Sequence, residues 1–282
     1  MSEQKRRRAT IVDVAAHAGT SYATVSRYLT GASYVAPATR KAIEAAIQAV
    51  QYVPNPRARA LVQQRSQTIA FVVRERHEVF FHDPVLLGQA SGANRALSSA
   101  GYQMLMMIVD SDASEERIGR LVGGGLVDGA LLAAMNTGDP LVATLVSAGI
   151  PLVASATPTV DADYPCIDVD NPAATRDITR RLLATGRQHV AEILGPSDAP
   201  VSALRHDGFV AAMGDAFDAN LTETAAHWDP ESGATAMRAL LARAPHLDGV
   251  VAASDTLAAG AIDVLQQAGR RVPTDVGVVG GP

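Results

Sequence analysis

Beyond Gln67 the chain repeats one pattern. Short apolar runs alternate with longer amphipathic stretches, and the runs are 68–73, 103–109, 128–134, 151–155, 166–169, 189–194, 248–253 and 276–279. Apolar runs this short, without polar alternation, read as strands covered on both faces. Separated by helix-length segments, they predict a mostly parallel sheet with helices on either side. Gly101, Gly149, Gly186 and Gly269 stand where the intervening helices should end, since glycine accepts the left-handed backbone of a helix C-terminus. The polar segment Thr157–Pro165, with two prolines, parts an earlier set of strands from a later one. Two α/β lobes with a crevice between them are expected. A chain of 282 residues suits about two domains at ~150 residues each, and at 48% hydrophobic it can bury a sizeable core, which excludes a disordered chain.

The first 66 residues obey a different rule. Ile11, Val14, Ala15 and Ala18 recur at helical spacing, and Gly19-Thr20-Ser21 makes a turn that ends in a capping residue. A second short helix follows over 22–29, with Val25 and Leu29 on one face and Gly31 closing it. A third runs from Pro37 to about Gln51, presenting Ile43, Ala46, Ile47 and Val50. Proline suits the first helical position, where its missing N–H would be unpaired anyway. Pro54-Asn55-Pro56 breaks the pattern, and 57–65 reads as a linker that is only conditionally helical. Residues 1–65 hold ten basic side chains against three acidic ones, while the remainder holds fourteen against twenty-six. A basic head on an acidic body points the head, and not the body, towards a polyanion. A solvated basic tail is the alternative on charge alone, because four of the ten cations fall within the first eight residues. Two short helices about a glycine turn on a basic segment make a helix-turn-helix candidate, whose second helix would present its N-terminal side chains to base edges in the major groove.

Several chemistries find no support. The lone Cys166 excludes an intrachain disulfide framework and a thiolate zinc cluster. The basic start lacks the apolar stretch of a secretory signal, and no apolar run approaches the ~18 residues of a membrane span, so the cytoplasm is expected. His77, Glu78 and His82 stand in HEVFFH, one residue longer than the HExxH zinc motif and on an expected loop. There is no GxSxG elbow and no GxxxxGK[ST] phosphate loop, and Gly123-Gly124-Gly125 precedes a strand where a phosphate loop would follow one. No enzyme activity, cofactor or metal is expected.

The stretch IVDVAAHAGTSYATVSRYLTGASYVAPATRKAIEAAIQAVQYVPN, residues 11–55, resembles the headpiece of the lactose-repressor (LacI/GalR) family of bacterial regulators. GRQHVAEILGP (186–196), ALRHDGF (203–209), WDPESG (228–233), SDTLAAGAI (254–262) and RRVPTDVGVVG (270–280) fall in that family's order, in an effector-binding core similar to periplasmic sugar-binding proteins. The resemblance implies an all-α helix-turn-helix headpiece (1–54), a hinge (55–66) and an α/β core of two lobes (67–156 and 157–282). It implies a sequence-specific transcriptional regulator, a repressor, that binds double-stranded operator DNA as a homodimer under control of a small molecule, most commonly a sugar.

By position, Tyr22, Ala23 and Arg27 match the base-reading residues, and Arg27 can pair bidentately with guanine. Ser21, Thr24, Ser26, Tyr34, Thr39 and Asn55 match residues that hold phosphates and fix register. Ala36 stands where many relatives carry a capping serine. In the hinge, Leu61 holds the place of an apolar wedge for the minor groove, with Arg57 and Arg59 tracking phosphates. In the crevice, Arg205 matches an arginine that grips ligand hydroxyls or carboxylates, Asp255 an acidic position at a helix start, Asp170 an acidic contact at a strand end, and Trp228 an aromatic that stacks on the ligand ring. Plainer roles stand beside these: a surface ion pair for Arg205, an N-cap for Asp255, the core for Trp228. Phe80, Phe81 and Asp83 are weaker candidates in the loop 74–84. Relatives continue past the strand at 276–279 for several dozen residues, so a C-terminal truncation or a shortened variant is expected, with Pro282 at another acidic position. A free-standing small-molecule binding protein with a vestigial DNA-binding head is the alternative, and a doubly wound enzyme comes after it.

Overall fold

A computed structural model describes residues 9–31, 34–53, 65–136, 138–155 and 164–281. Two compact units meet at Gln67 and Thr68.

In the smaller unit, α1 (Ile11–His17), α2 (Tyr22–Thr30) and α3 (Pro37–Ala49) enclose Val14, Val25, Ile43 and Ala46. All four are withdrawn from water, and burial of each larger side chain contributes about 1.5–3 kcal/mol. The helix starts are written locally. Thr10 and Asp13 form a reciprocal capping box on α1. The Ser21 hydroxyl accepts the Thr24 N–H at 3.2 Å to start α2. Gly19, at φ +63°, makes the turn between them. Ala36 offers α3 no side-chain cap, and Pro37 occupies its first turn as expected. That helix ends at Ala49, slightly before the expected Gln51. Tyr28 ties α2 to α3, donating from its hydroxyl to Glu44 at 2.9 Å.

The larger unit holds two sheets. The first lobe runs β1 (Thr68–Arg74), α4 (His77–Phe80), α5 (Pro84–Ser99), β2 (Gln103–Val109), α6 (Asp112–Leu121), β3 (Gly129–Ala133), α7 (Pro140–Ser147) and β4 (Leu152–Ser155). The second runs α8 (Asn171–Leu183), β5 (Val190–Leu194), α9 (Pro200–Met213), β6 (Thr222–Thr224), α10 (Pro230–Arg243), β7 (Gly249–Ala252), α11 (Asp255–Gln267) and β8 (Gly277–Gly280). Strand orders are β2-β1-β3-β4 and β6-β5-β7-β8, so both sheets are wound alike. Every pairing among the described strands is parallel, with Ile69 opposite Met104 and Gly129, and Val190 opposite Gly249.

Alternate residues of each strand face opposite helical layers. In the first lobe Ala70 and Val72 pack with Ile118 and Leu145, whereas Phe71 and Val73 pack with Phe80 and Leu86. In the second, Ala191 and Ile193 meet Met237 and Leu257, whereas Val190 meets Leu182 and Phe209. The four glycines expected to end helices all take positive φ.

Two strand expectations need correction. Residues 166–169 form no strand: a single bridge joins Cys166 to Ala154, and Ile167 and Val169 are 72% and 59% exposed. They lack the second paired neighbour that would cover an apolar strand. Conversely, Thr222-Glu223-Thr224 is a strand without apolar residues, because it sits at a sheet edge and pairs only with β5. The expected loop at 74–84 contains the short helix α4.

In each sheet the winding reverses between the first strand and its later neighbour, β1 with β3 and β5 with β7. The carboxyl ends beside such a reversal leave a gap that neither crossover fills. Both gaps open onto one crevice.

Candidate reading helix and ligand crevice

On α2 the side facing the core is taken by Val25. Tyr22, Ala23 and Arg27 are exposed and Ser26 is half-buried. Ala23 and Arg27, two residues to either side of Val25, lie on the face turned away from it, and Tyr22 is 55% exposed at the start of the helix. Ser21 and Thr24 bond one another through their hydroxyls at 2.8 Å at the helix start. The first-turn N–H groups and the positive end of the helix dipole gather there, the arrangement that suits a phosphate. Tyr34 is exposed and Thr39 half-buried. Asn55, Arg57, Arg59 and Leu61, with the rest of the expected hinge through 64, lie outside the described residues, as does Pro282.

The crevice between the lobes has a volume of about 330 Å³. Arg76, Glu78, His82 and Asp83 line it from the first lobe, and Trp228, Asp229 and Thr256 from the second. Among the described residues, hydrogen bonds join the lobes from Arg76 Nη2 to Asp229 Oδ2 at 2.9 Å, across the crevice, and from Asn136 Nδ2 to Asp198 Oδ2 at 3.0 Å.

Trp228 is half-buried, with one side packed on the second-lobe core. Its ring lies over the backbone of Gly195, just past β5, where any side chain would collide with it. Arg205, one turn into α9, sits beside that ring with Cζ 5.8 Å from its centroid. It is no surface ion pair. Its Nε donates to Asn171 Oδ1 at 3.0 Å, and its Nη1 donates to the Ala253 carbonyl at the end of β7. Burial pulls the Arg205 pKa down, offset in part by Asp168 and Asp83.

Asp255 is not the helix cap. Ser254 takes that place, accepting the Leu257 N–H at 3.2 Å, and the exposed Asp255 carboxylate rests against Gly280 at the end of β8. Asp170 does not end a strand. It caps α8, accepting the Ala173 N–H at 2.9 Å, because the segment before it is irregular. Phe80 is buried in the first-lobe core, Phe81 is exposed, and Asp83 both caps α5 and faces the crevice.

The structure adds residues that sequence pattern did not single out. Asn171 is 1% exposed; its Nδ2 donates to Asp168 Oδ1 at 3.1 Å and to the Val169 carbonyl at 3.2 Å. The polar stretch Asp168-Val169-Asp170-Asn171 ahead of a proline was the available signal. Glu192 on β5 is 2% exposed and accepts from His206, the neighbour of Arg205, at 2.7 Å. Burial pushes its carboxyl up to about 7, against the opposing pull of His206. Glu75, before Arg76, is also raised by burial. Among the described residues no group of three or more His, Cys, Asp or Glu could hold a metal ion, and no helix is long and apolar enough to cross a membrane.

Residues 10–55 match the family model described as bacterial regulatory proteins, lacI family. Residues 66–280 match that of periplasmic binding proteins and the sugar binding domain of the LacI family. In sequence the chain is 40% identical to the HTH-type transcriptional regulator CelR of Thermobifida fusca, over 98% of this chain and 83% of the relative. It is 33% identical to the ribose operon repressor of Halalkalibacterium halodurans, over 96% and 79%. Among solved structures, a CelR–cellobiose complex superposes with a TM-score of 0.73 at 38% identity, covering 97% of this chain and 82% of that one. The Lac repressor dimer bound to operator and the anti-inducer ONPF superposes at 0.82 with 25% identity and the same coverages.

Proposed function

The chain belongs to the LacI family of bacterial regulatory proteins, and from that premise we propose that it is a cytoplasmic repressor released from or retained on its operator by a neutral sugar, with a β-linked glucose disaccharide such as cellobiose as the effector. It is a DNA-binding transcriptional regulator with a sugar-binding-type core, and it acts on DNA as a dimer. Tyr22, Ala23 and Arg27 read base edges. Ser21, Thr24, Ser26, Tyr34 and Thr39, with Asn55, Arg57 and Arg59, hold phosphates, and Leu61 serves as the minor-groove wedge. The headpiece ends at 54, the hinge at 66 and the first lobe at 156.

The observation that supports the effector class is the Trp228 ring, which lines the crevice and has the Arg205 guanidinium beside it. An aromatic face packs against the C–H surface of a pyranose, and a guanidinium fork donates to ring hydroxyls. Asp83 and Asp229 line the crevice and Asp168 and Asp83 act on Arg205, and these carboxylates oppose an anionic ligand. Asp255 and Asp170 lie at helix starts on the second lobe, where their carboxylates can accept hydroxyl protons. Effector and operator binding are linked through lobe closure, since a ligand shifts an equilibrium only by its differential affinity for the two states.

Calorimetric titration with cellobiose, glucose, ribose and phosphate tests the effector. Cellobiose is expected to bind, to change affinity for a selected operator duplex, and to lose both effects in Trp228→Ala. Binding of phosphate alone overturns the reading. On the DNA side, Arg27→Ala should cost about 1–3 kcal/mol, concentrated at one base pair of each half-site. An even loss across all duplexes would make Arg27 a phosphate contact instead.

A further inference from the structure

Arg205 has a long side chain with many rotamers, and a ligand contact requires it to wait in one of them. The structure holds it through Asn171. That amide can be oriented in only one way: the Asp168 carboxylate and the Val169 carbonyl accept and cannot donate, so the amide nitrogen must face them at 3.1 and 3.2 Å. The amide oxygen is thereby turned to the one remaining neighbour, the Arg205 Nε–H at 3.0 Å. The frame behind it is stiff. Gly208, one turn beyond Arg205, has the Pro172 carbonyl against its α-carbon, so α8 and α9 meet without an intervening side chain. Asn171, next to Pro172 and nearly fully buried, has no room to withdraw.

We infer that Asn171 is a positioning residue for effector recognition, a relay from Asp168 that locks the Arg205 guanidinium beside Trp228 and turns its remaining donors to a sugar's hydroxyls. The inference rests on the reading of Arg205 as an effector contact. Asn171 touches no ligand itself and acts only through Arg205. Its loss therefore has no consequence at the crevice once Arg205 is gone.

The test is a double-mutant cycle on full-length protein, read in two ways. Trp228 is the only tryptophan, and the cation 5.8 Å from its ring makes its emission a ligand-free report of where Arg205 stands. Asn171→Ala is expected to move emission and acrylamide quenching to the values of Arg205→Ala, and the double variant to match Arg205→Ala. Asn171→Leu, similar in volume and without polar atoms, replaces alanine where the smaller side chain compromises folding by circular dichroism. Wild-type emission in the Asn171 variant, or additive shifts in the double variant, overturns the proposal. With cellobiose as the probe, Asn171→Ala should weaken binding about ten-fold, and by nothing further when Arg205 is already alanine. Undiminished cellobiose binding in Arg205→Ala removes the effector reading, and the emission cycle still decides the relay. Weaker binding in Arg205→Ala with unchanged binding in Asn171→Ala removes the relay alone.

Discussion

In the first lobe Arg74, the last residue of β1, is enclosed by two carboxylates: Asp139 takes Nε and Nη2, and Glu115 takes Nη2. In the second lobe Arg205 meets an amide, a carbonyl and an indole face. Burial depresses both pKa values, but for Arg74 the bonds to Asp139 and Glu115 outweigh it, whereas Arg205 stays lowered. The lobes share one winding, so topology does not set this difference. The side chains around each arginine do. At the end of β1 the first lobe pairs its cation with its own carboxylates. The second keeps a cation short of partners, and a cation in that condition gains most from a new acceptor.

The sharpest break of this comparison is the matched pair Arg74→Met and Arg205→Met. Without Arg74, the wholly buried Asp139 side chain is left unpaired, and urea denaturation should show a loss of about 3–5 kcal/mol. Without Arg205, only neutral acceptors are orphaned, and about 1–2 kcal/mol should go. Equal losses would mean that the two arginines are alike.

A smaller effect separates the lobes by pH. Glu192, buried in the second, titrates near 7 when folded and near its ordinary value of 4.5 when unfolded. Between those values the unfolded chain gives up the proton and the folded one keeps it, so stability falls as pH rises. Glu192→Gln removes that slope. Its advantage over the native protein should be near zero at pH 4.5 and grow to roughly 2–3 kcal/mol above pH 7. A difference independent of pH would show that the carboxyl titrates normally.

The least effect is expected where the lobes touch. The Arg76–Asp229 pair is half open to solvent on the arginine side, so Arg76→Ala should change stability by less than about 1 kcal/mol. Because the pair spans the crevice, the same variant should also loosen closure. Small-angle scattering at low and high salt reads this directly, and salt should mimic the substitution in the native protein.

Much of this architecture could be read from the residues. Apolar runs located seven strands of eight, and glycines marked where helices stop, because burial on both faces and left-handed backbone both leave a compositional trace. Thr222–Thr224 left none, since an edge strand need not be apolar. Ile167 and Val169 misled for the converse reason: apolarity does not supply a paired neighbour. At the candidate sites, the exposed face of α2 followed from placing Val25 inside. Arg205 does lie beside the Trp228 ring, but the Asn171–Arg205 bond joins segments distant in sequence, and no local pattern announces it. Asp170, expected at a strand end, caps a helix instead, and Asp255, for which a cap was one of two expected roles, leaves the cap to Ser254; both outcomes depend on backbone geometry one residue either way.

Three of the helix-starting aspartates, Asp83, Asp139 and Asp229, directly precede a proline, and each accepts an N–H in the first turn of its helix. Asp83 and Asp229 also line the crevice. Each of these two carboxylates therefore answers to two masters, and replacing it with alanine confounds a folding defect with a recognition defect. Asparagine separates the two duties, for it caps almost as well and carries no charge. A designer seeking a regulator with a new inducer would leave those two positions alone and diversify Glu78, His82 and Thr256, which line the same crevice without starting a helix.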